Sequence, residues 1–253
     1  MRKTSIMATF CVRARLQSCR KLLINSRLAL AFALACAALA ATGLLAAAQA
    51  PPAPTGPPPR FMVVLDPAHG GSDTGGRLAD NQLEKTFTLV LSARLRSLLG
   101  ARGIQVVLTR ESDATLDPNR RAEIANRAKA QACLTLHATE SGSGVHLFAS
   151  SLAPAPQIHF APWKTAQEGW VTRSLALTGV LNAALQHAGI SVTLGRATLP
   201  GMDSMTCPAV AVEIAPERDA NHQTTASLSD ADYQARIASA LAAALVQWRT
   251  EAH

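Results

Sequence analysis

Three short apolar runs, each ending on a polar residue, constrain this chain more than anything else in its 253 residues. Phe61-Met62-Val63-Val64-Leu65-Asp66 leads into Pro67-Ala68-His69-Gly70-Gly71. Ala132-Cys133-Leu134-Thr135-Leu136 leads into His137, and Ala209-Val210-Ala211-Val212 leads into Glu213. Parallel strands are covered on both faces and so read as near-continuous apolar runs. In open α/β sheets, ligands bind beyond the carboxyl ends of such strands. Two histidines and a glutamate delivered there by three strands predict a site as well as a fold.

The intervening sequence supplies helices. A Gly-rich loop, His69 to Gly76, follows the first run. A helix is then expected to start near Asn81, with Asn81 as N-cap and Glu84 three residues on as a capping-box partner. Leu83, Phe87, Val90, Leu91, Leu95, Leu98 and Leu99 give it an apolar stripe, and Gly100 stops it. Ile104 to Thr109 reads as a strand. Asp117-Pro118 opens a helix to Ala130, with Pro at the first helical position. Gly144 to Ala149 is a further strand, and 164–188 a long helix with Trp170, Leu177, Leu181 and Leu185 on its inner side. Ile190 to Leu194 is a short strand, Pro208 to Ile214 carries Glu213, and a last helix runs from Ser229 to Trp248. Strands alternating with helices define an α/β fold: a single domain with a mainly parallel twisted sheet and helices on both faces.

The charge balance excludes one class of partner. The chain carries 24 Lys+Arg against 17 Asp+Glu. The whole excess lies in residues 1–50, as Arg2, Lys3, Arg13, Arg15, Arg20, Lys21 and Arg27, with no acidic residue among them. The remainder is formally neutral, so no nucleic-acid partner is expected. Basic residues followed by the Ala/Leu-rich run from Leu28 to Ala50 have the form of an export signal. Ala46-Ala47-Ala48 and Ala48-Gln49-Ala50 offer small residues for cleavage, with the mature protein starting near residues 48–52. The alternative is an uncleaved membrane anchor, since the run approaches the ~20 residues needed to span a bilayer. Residues 51–60 form a proline-rich linker, and 61–250 are expected to form one domain with its own core. Cys133 and Cys207, on apolar segments, read as buried and inert, with a disulfide permitted in an oxidising compartment. There is no CxxC, which excludes a cysteine-built structural zinc site.

His69 stands in a loop whose glycines leave its imidazole open to a ligand. Asp66 is placed either to hold that loop or to orient a ligand histidine. Glu213, after four apolar residues, must be paired, metal-bound or in a cleft, because burying a carboxylate uncompensated costs several kcal/mol or more. Two imidazoles and a carboxylate are the ligand set of a catalytic zinc with its fourth position open to water. A further carboxylate near that water can take its proton and deliver it to a leaving amine.

Asp66-Pro67-Ala68-His69-Gly70-Gly71, Glu84-Lys85 opening a helix, Val106-Val107-Leu108-Thr109-Arg110 and Arg120-Arg121-Ala122-Glu123-Ile124-Ala125-Asn126 closely resemble the N-acetylmuramoyl-L-alanine amidase type 3 family. Leu136-His137-Ala138, then Gly144-Val145, and Pro208 to Glu213 continue the match in order. The resemblance covers about 61–250. It implies Zn²⁺ held by His69, Glu84 and His137, with Glu213 as the catalytic carboxylate. It implies peptidoglycan as substrate and partner, cut between the lactyl group of N-acetylmuramic acid and L-alanine. An exported monomer in the periplasm or cell wall is expected, with no activator protein specified by any motif. The chain departs from the family at Ala68 (usually Gly), at Thr139 (usually Asn) and over Ile214 to Asp219, where Gly-Phe-x-Ser/Thr-Asn is usual. That last departure keeps open a catalytically impaired wall-binding or regulatory homologue. A zinc carboxypeptidase is disfavoured by the motif series, and a serine or cysteine hydrolase by the lack of a nucleophile elbow.

Overall fold

The computed structural model describes residues 60–156 and 162–251. The expected leader (1–50) and all but the last residue of the expected linker (51–60) lie outside the described residues. In chain order the elements are β1 (Met62–Pro67), α1 (Glu84–Gly100), β2 (Gln105–Leu108), α2 (Pro118–Ala128), β3 (Ala132–Ala138) and β4 (Val145–Ser150). There follow α3 (Val171–His187), β5 (Val192–Ala197), α4 (Pro200–Asp203), β6 (Ala209–Ile214), β7 (Glu217–Arg218), β8 (Thr224–Ala226) and α5 (Ala231–Glu251). Among the described residues no helix is long and apolar enough to cross a membrane.

The sheet has six strands in the order β2-β1-β3-β6-β4-β5. β2, β1, β3 and β6 are parallel neighbours, which places Leu65 beside Leu134 and Leu134 beside Val210. Successive side chains point to opposite faces of a strand, and the apolar runs fill both. Leu65, Leu134, Leu136 and Val212 pack with the Leu-rich faces of α1 and α3 and the Ala/Leu face of α5. Val64, Cys133, Ala209 and Ala211 pack on the other face with Ala122 and Ala125 of α2 and Met202 of α4. Each such fully buried Leu or Val contributes about 1.5–3 kcal/mol relative to exposure. The expectation of a mainly parallel sheet with helices on both faces therefore holds.

Local features differ from the sequence reading or settle what it left open. β4 runs antiparallel to β6, because residues 139–144 are too few for the dozen-residue crossover that a parallel return to the sheet needs. The start of β4 therefore lies at the same edge as the ends of β1, β3 and β6. α1 has no capping box: its N-cap is Leu83, with no side-chain cap, and Asn81 sits in a 3-10 turn at φ +61. Cys133 and Cys207 form a disulfide that ties β3 to the segment entering β6, which removes both as nucleophiles.

Candidate active site

The loop after β1 is held from below by two arginines. Arg110 donates through Nε to the Pro67 carbonyl and through Nη2 to that of Ala68. Arg121 donates to Asp66 Oδ1 at 2.7 Å and to the carbonyls of Pro67, His69 and Leu116. Asp66 also accepts from Thr109 Oγ1. Of its two expected roles, Asp66 thus takes the first and holds the loop. The carboxylate that orients His69 is Asp73, whose Oδ2 lies 2.9 Å from His69 Nδ1. A carboxylate only accepts, so Nδ1 carries the hydrogen and Nε2 is left to face a ligand. That hydrogen bond is the main cause holding the Asp73 carboxyl below the usual range. His69 itself sits at φ +62, a conformation non-glycine residues seldom adopt except where surroundings impose it.

Glu84 opens α1 and turns into the sheet edge rather than back to Asn81. Its Oε1 lies 3.1 Å from His69 Nε2 and 3.0 Å from His137 Nδ1. Its Oε2 accepts from the Gly76 N–H, and Oε1 from the Ala138 N–H. Burial works to raise this carboxyl, but the hydrogen bonds from His137, Gly76 and Ala138 outweigh it and hold Glu84 below the usual range. Gly75, at φ +64, makes the close approach possible: a Cβ there would fall 2.5 Å from His69 Cδ2 and 2.6 Å from Glu84 Oε2.

His69, Glu84 and His137 therefore converge, one donor atom each, all within 4.8 Å of one another. Donors bound to one tetrahedral ion at ~2.0–2.2 Å stand roughly 3.3 Å apart, close to the His–Glu separations here. The residues fit a metal ion. Beside His69 and His137 opens a cavity of about 250 Å³ lined also by Thr135, Leu116, Leu199 and Met202. The Thr135 hydroxyl oxygen in it is buried with no protein partner.

Glu213 is the fourth predicted residue, and it lies in register with His137 across the β3–β6 ladder. It is paired, as a carboxylate after an apolar run requires, but with a residue that the sequence reading missed. His146, near the start of β4, faces it in the antiparallel ladder, and His146 Nδ1 lies 2.9 Å from Glu213 Oε2. The signal was present: a lone imidazole between Val145 and Leu147, on a strand reached by too short a link to be parallel to β3. The two nearest alternative carboxylates are committed elsewhere. Glu140 accepts from the Ala79 N–H and Glu217 pairs with Arg236 at 2.6 Å.

The departures from the family pattern are ordered. Ala68 is buried and donates to the Leu136 carbonyl. The segment after Glu213 forms the β7–β8 hairpin, and Arg218 ties it to the β3–β4 link through the Ser143 hydroxyl and the carbonyls of Gly142 and Glu140.

Fold and site together define an α/β domain with a His₂Glu metal-capable centre and a carboxylate beside it at one edge of the sheet. Comparisons place it further. The family model described as N-acetylmuramoyl-L-alanine amidase (Amidase_3) matches residues 63–247, and the chain belongs to that family. It is 36% identical over 94 residues to the N-acetylmuramoyl-L-alanine amidase AmiA of Escherichia coli K12, spanning 36% of this chain and 32% of that protein. It is 33% identical over 90 residues to the germination-specific amidase of Bacillus subtilis, covering 30% and 38% respectively. These matches thus span about a third of the curated relatives' length. The catalytic domain of CwlV from Bacillus (Paenibacillus) polymyxa superposes with a TM-score of 0.59 at 25% identity, over 75% of this chain and 98% of that one. Ami1 from Mycobacterium abscessus, at 23% identity, shares the fold with a TM-score of 0.60 over 74% and 98%.

Proposed function

We propose that this chain is a zinc-dependent amidase that hydrolyses the bond between the lactyl group of N-acetylmuramic acid and L-alanine in peptidoglycan. One observation carries the reading: two imidazole nitrogens and a carboxylate oxygen converge at the sheet edge where Glu213 stands one strand away. His69, Glu84 and His137 would hold the ion, with Asp73 and the backbone of Gly76 and Ala138 fixing them. Bound there, zinc supplies Lewis-acid polarisation of the amide carbonyl and an acidified water. Glu213 takes the proton of the attacking water and returns it to the departing alanine nitrogen. The 250 Å³ cavity beside His69 and His137 gives substrate a mostly apolar wall, with Asp66, Asp73 and Arg121 also in its lining.

The test is product analysis of purified peptidoglycan digested by the purified chain, with and without chelator. Free lactyl carboxyl groups and N-terminal L-alanine, abolished by chelator and restored by Zn²⁺, are expected. Tight wall binding without cleavage would select the impaired homologue instead. His137→Ala is expected to lose most bound zinc, read by elemental analysis; wild-type zinc content in that variant would remove His137 from the ligand set. Zinc should also be released as pH falls, because bound imidazoles must be neutral.

Export belongs to the same proposal. The basic-then-apolar leader motivates it, and the Cys133–Cys207 disulfide supports an oxidising compartment such as the periplasm. N-terminal sequencing of the exported protein should find a start near residues 48–52. An intact leader in the membrane fraction would establish a tethered form.

A further inference from the structure

We infer that His146 is a positioning residue for Glu213, fixing the carboxylate that the proposed hydrolysis uses as base and acid; the inference rests on that reading. His146 is outside the metal group and is otherwise unused, yet its side chain is only 14% exposed. Its Nδ1 lies 2.9 Å from Glu213 Oε2. An ionised carboxylate can only accept, so Nδ1 is the donor.

The imidazole is itself clamped. The Gly142 backbone lies so near its outer edge that a Cβ there would fall 2.5 Å from His146 Cε1 and 2.6 Å from Nε2. The Phe148 ring stands edge-to-face with it at 6.5 Å. Gly142 is braced in turn, since its carbonyl accepts from Arg218 Nε at 3.1 Å. Arg218 belongs to the segment after Glu213 that departs from the family pattern. That segment thus braces the Gly142 backbone that packs against the ring bonded to Glu213.

The physical need is plain. Glu213 ends a strand with its side chain 34% exposed, and a glutamate there is free to turn about three side-chain bonds. Ordering such a chain costs side-chain entropy. A proton-transfer group displaced by 1 Å costs on the order of 100-fold in rate. A hydrogen bond from a clamped imidazole removes that freedom before substrate arrives.

The experiment uses the zinc-loaded chain and a soluble muramyl-L-alanyl-D-isoglutamine substrate. His146→Leu keeps the volume and removes the donor. It should lower kcat by about 10–100-fold at wild-type zinc content, with KM within about twofold, because only the reacting group is misplaced. His146→Asn, which offers an N–H near the position of Nδ1, should recover most of the loss. In a Glu213→Gln background, His146→Leu should cost little more, since both changes act through one group. A readout free of activity is ¹⁵N NMR of the metal-free protein at alkaline pH, where His146 should be the Nδ1–H tautomer and should shift in Glu213→Gln. Should the Leu variant not fold, the Asn variant and the spectrum decide. Full kcat in His146→Leu, no recovery in His146→Asn, undiminished loss in the Glu213→Gln background, or an Nε2–H tautomer would each overturn the inference. Full activity in Glu213→Gln alone would instead overturn the reading beneath it.

Discussion

Under the proposed zinc hydrolysis, Glu213→Gln is expected to bind zinc as the unaltered protein does and lose turnover by about 10²–10⁴-fold, or roughly 3–5 kcal/mol of barrier, which is the usual worth of positioned acid–base help. The amide keeps the size of the carboxylate and can still bond to His146, so the sheet edge should be undisturbed. What it cannot do is take a proton from water or hand one to the alanine nitrogen. Turnover on a muramyl peptide, read beside zinc content, separates the possibilities. A variant that loses zinc would make Glu213 a ligand and displace one of His69, Glu84 or His137 from that role. Retained zinc with full activity would move the base elsewhere, yet Glu140 and Glu217 are already held by Ala79 and Arg236. Of the three, Glu213 is the carboxylate that stands in register with His137.

Much of this arrangement was legible because burial writes itself into composition. Strands covered on both faces must be apolar throughout, so the polar residues at their ends stood out, and β1, β3 and β6 fell where those runs predicted. Asp117 as cap and Pro118 at the first position of α2 were readable for the same kind of local reason, and Asp117 accepts from the N–H groups of Asn119 and Arg120. What escaped was set by long-range geometry. Asn81 and Glu84 have the spacing of a capping box, but the backbone N–H groups of Gly76 and Ala138, together with two imidazoles, outbid Asn81 for that carboxylate. Asp66 and Asp73 both lie near His69 in sequence, and only the approach of Arg121 from α2 decides which one turns to the imidazole. His146 was hidden by direction. A search along strand ends passes over a residue near a strand start, and reversal of β4 brings that start to the site. The pairing of Cys133 with Cys207 likewise depends on β3 and β6 being neighbours, which no local pattern states.

The arginine beneath the site carries the largest expected stability effect. Arg121 and Asp66 are nearly inaccessible, at 9% and 4% side-chain exposure, and meet at 2.7 Å. Such a pair gains little over an apolar substitute when both partners go, but removing one strands a buried charge and typically costs 3–5 kcal/mol. Arg121→Met fills much of the volume, yet leaves Asp66 with Thr109 alone and removes a donor from the carbonyls of Pro67, His69 and Leu116. A loss of about 3–5 kcal/mol is therefore expected in urea unfolding, a large part of the 5–15 kcal/mol that a domain commonly has. Asp66→Asn strands the opposite charge, the Arg121 guanidinium, but leaves it the amide oxygen and the carbonyls of Pro67, His69 and Leu116 as acceptors, so it should cost less. Arg121→Met combined with Asp66→Leu should recover part of the loss. The same arginine holds the His69 carbonyl, so zinc affinity should fall in Arg121→Met even where the variant is still folded. A destabilisation below about 1 kcal/mol, the range of exposed ion pairs, would show that this network is solvated in solution and does not brace the loop that carries His69.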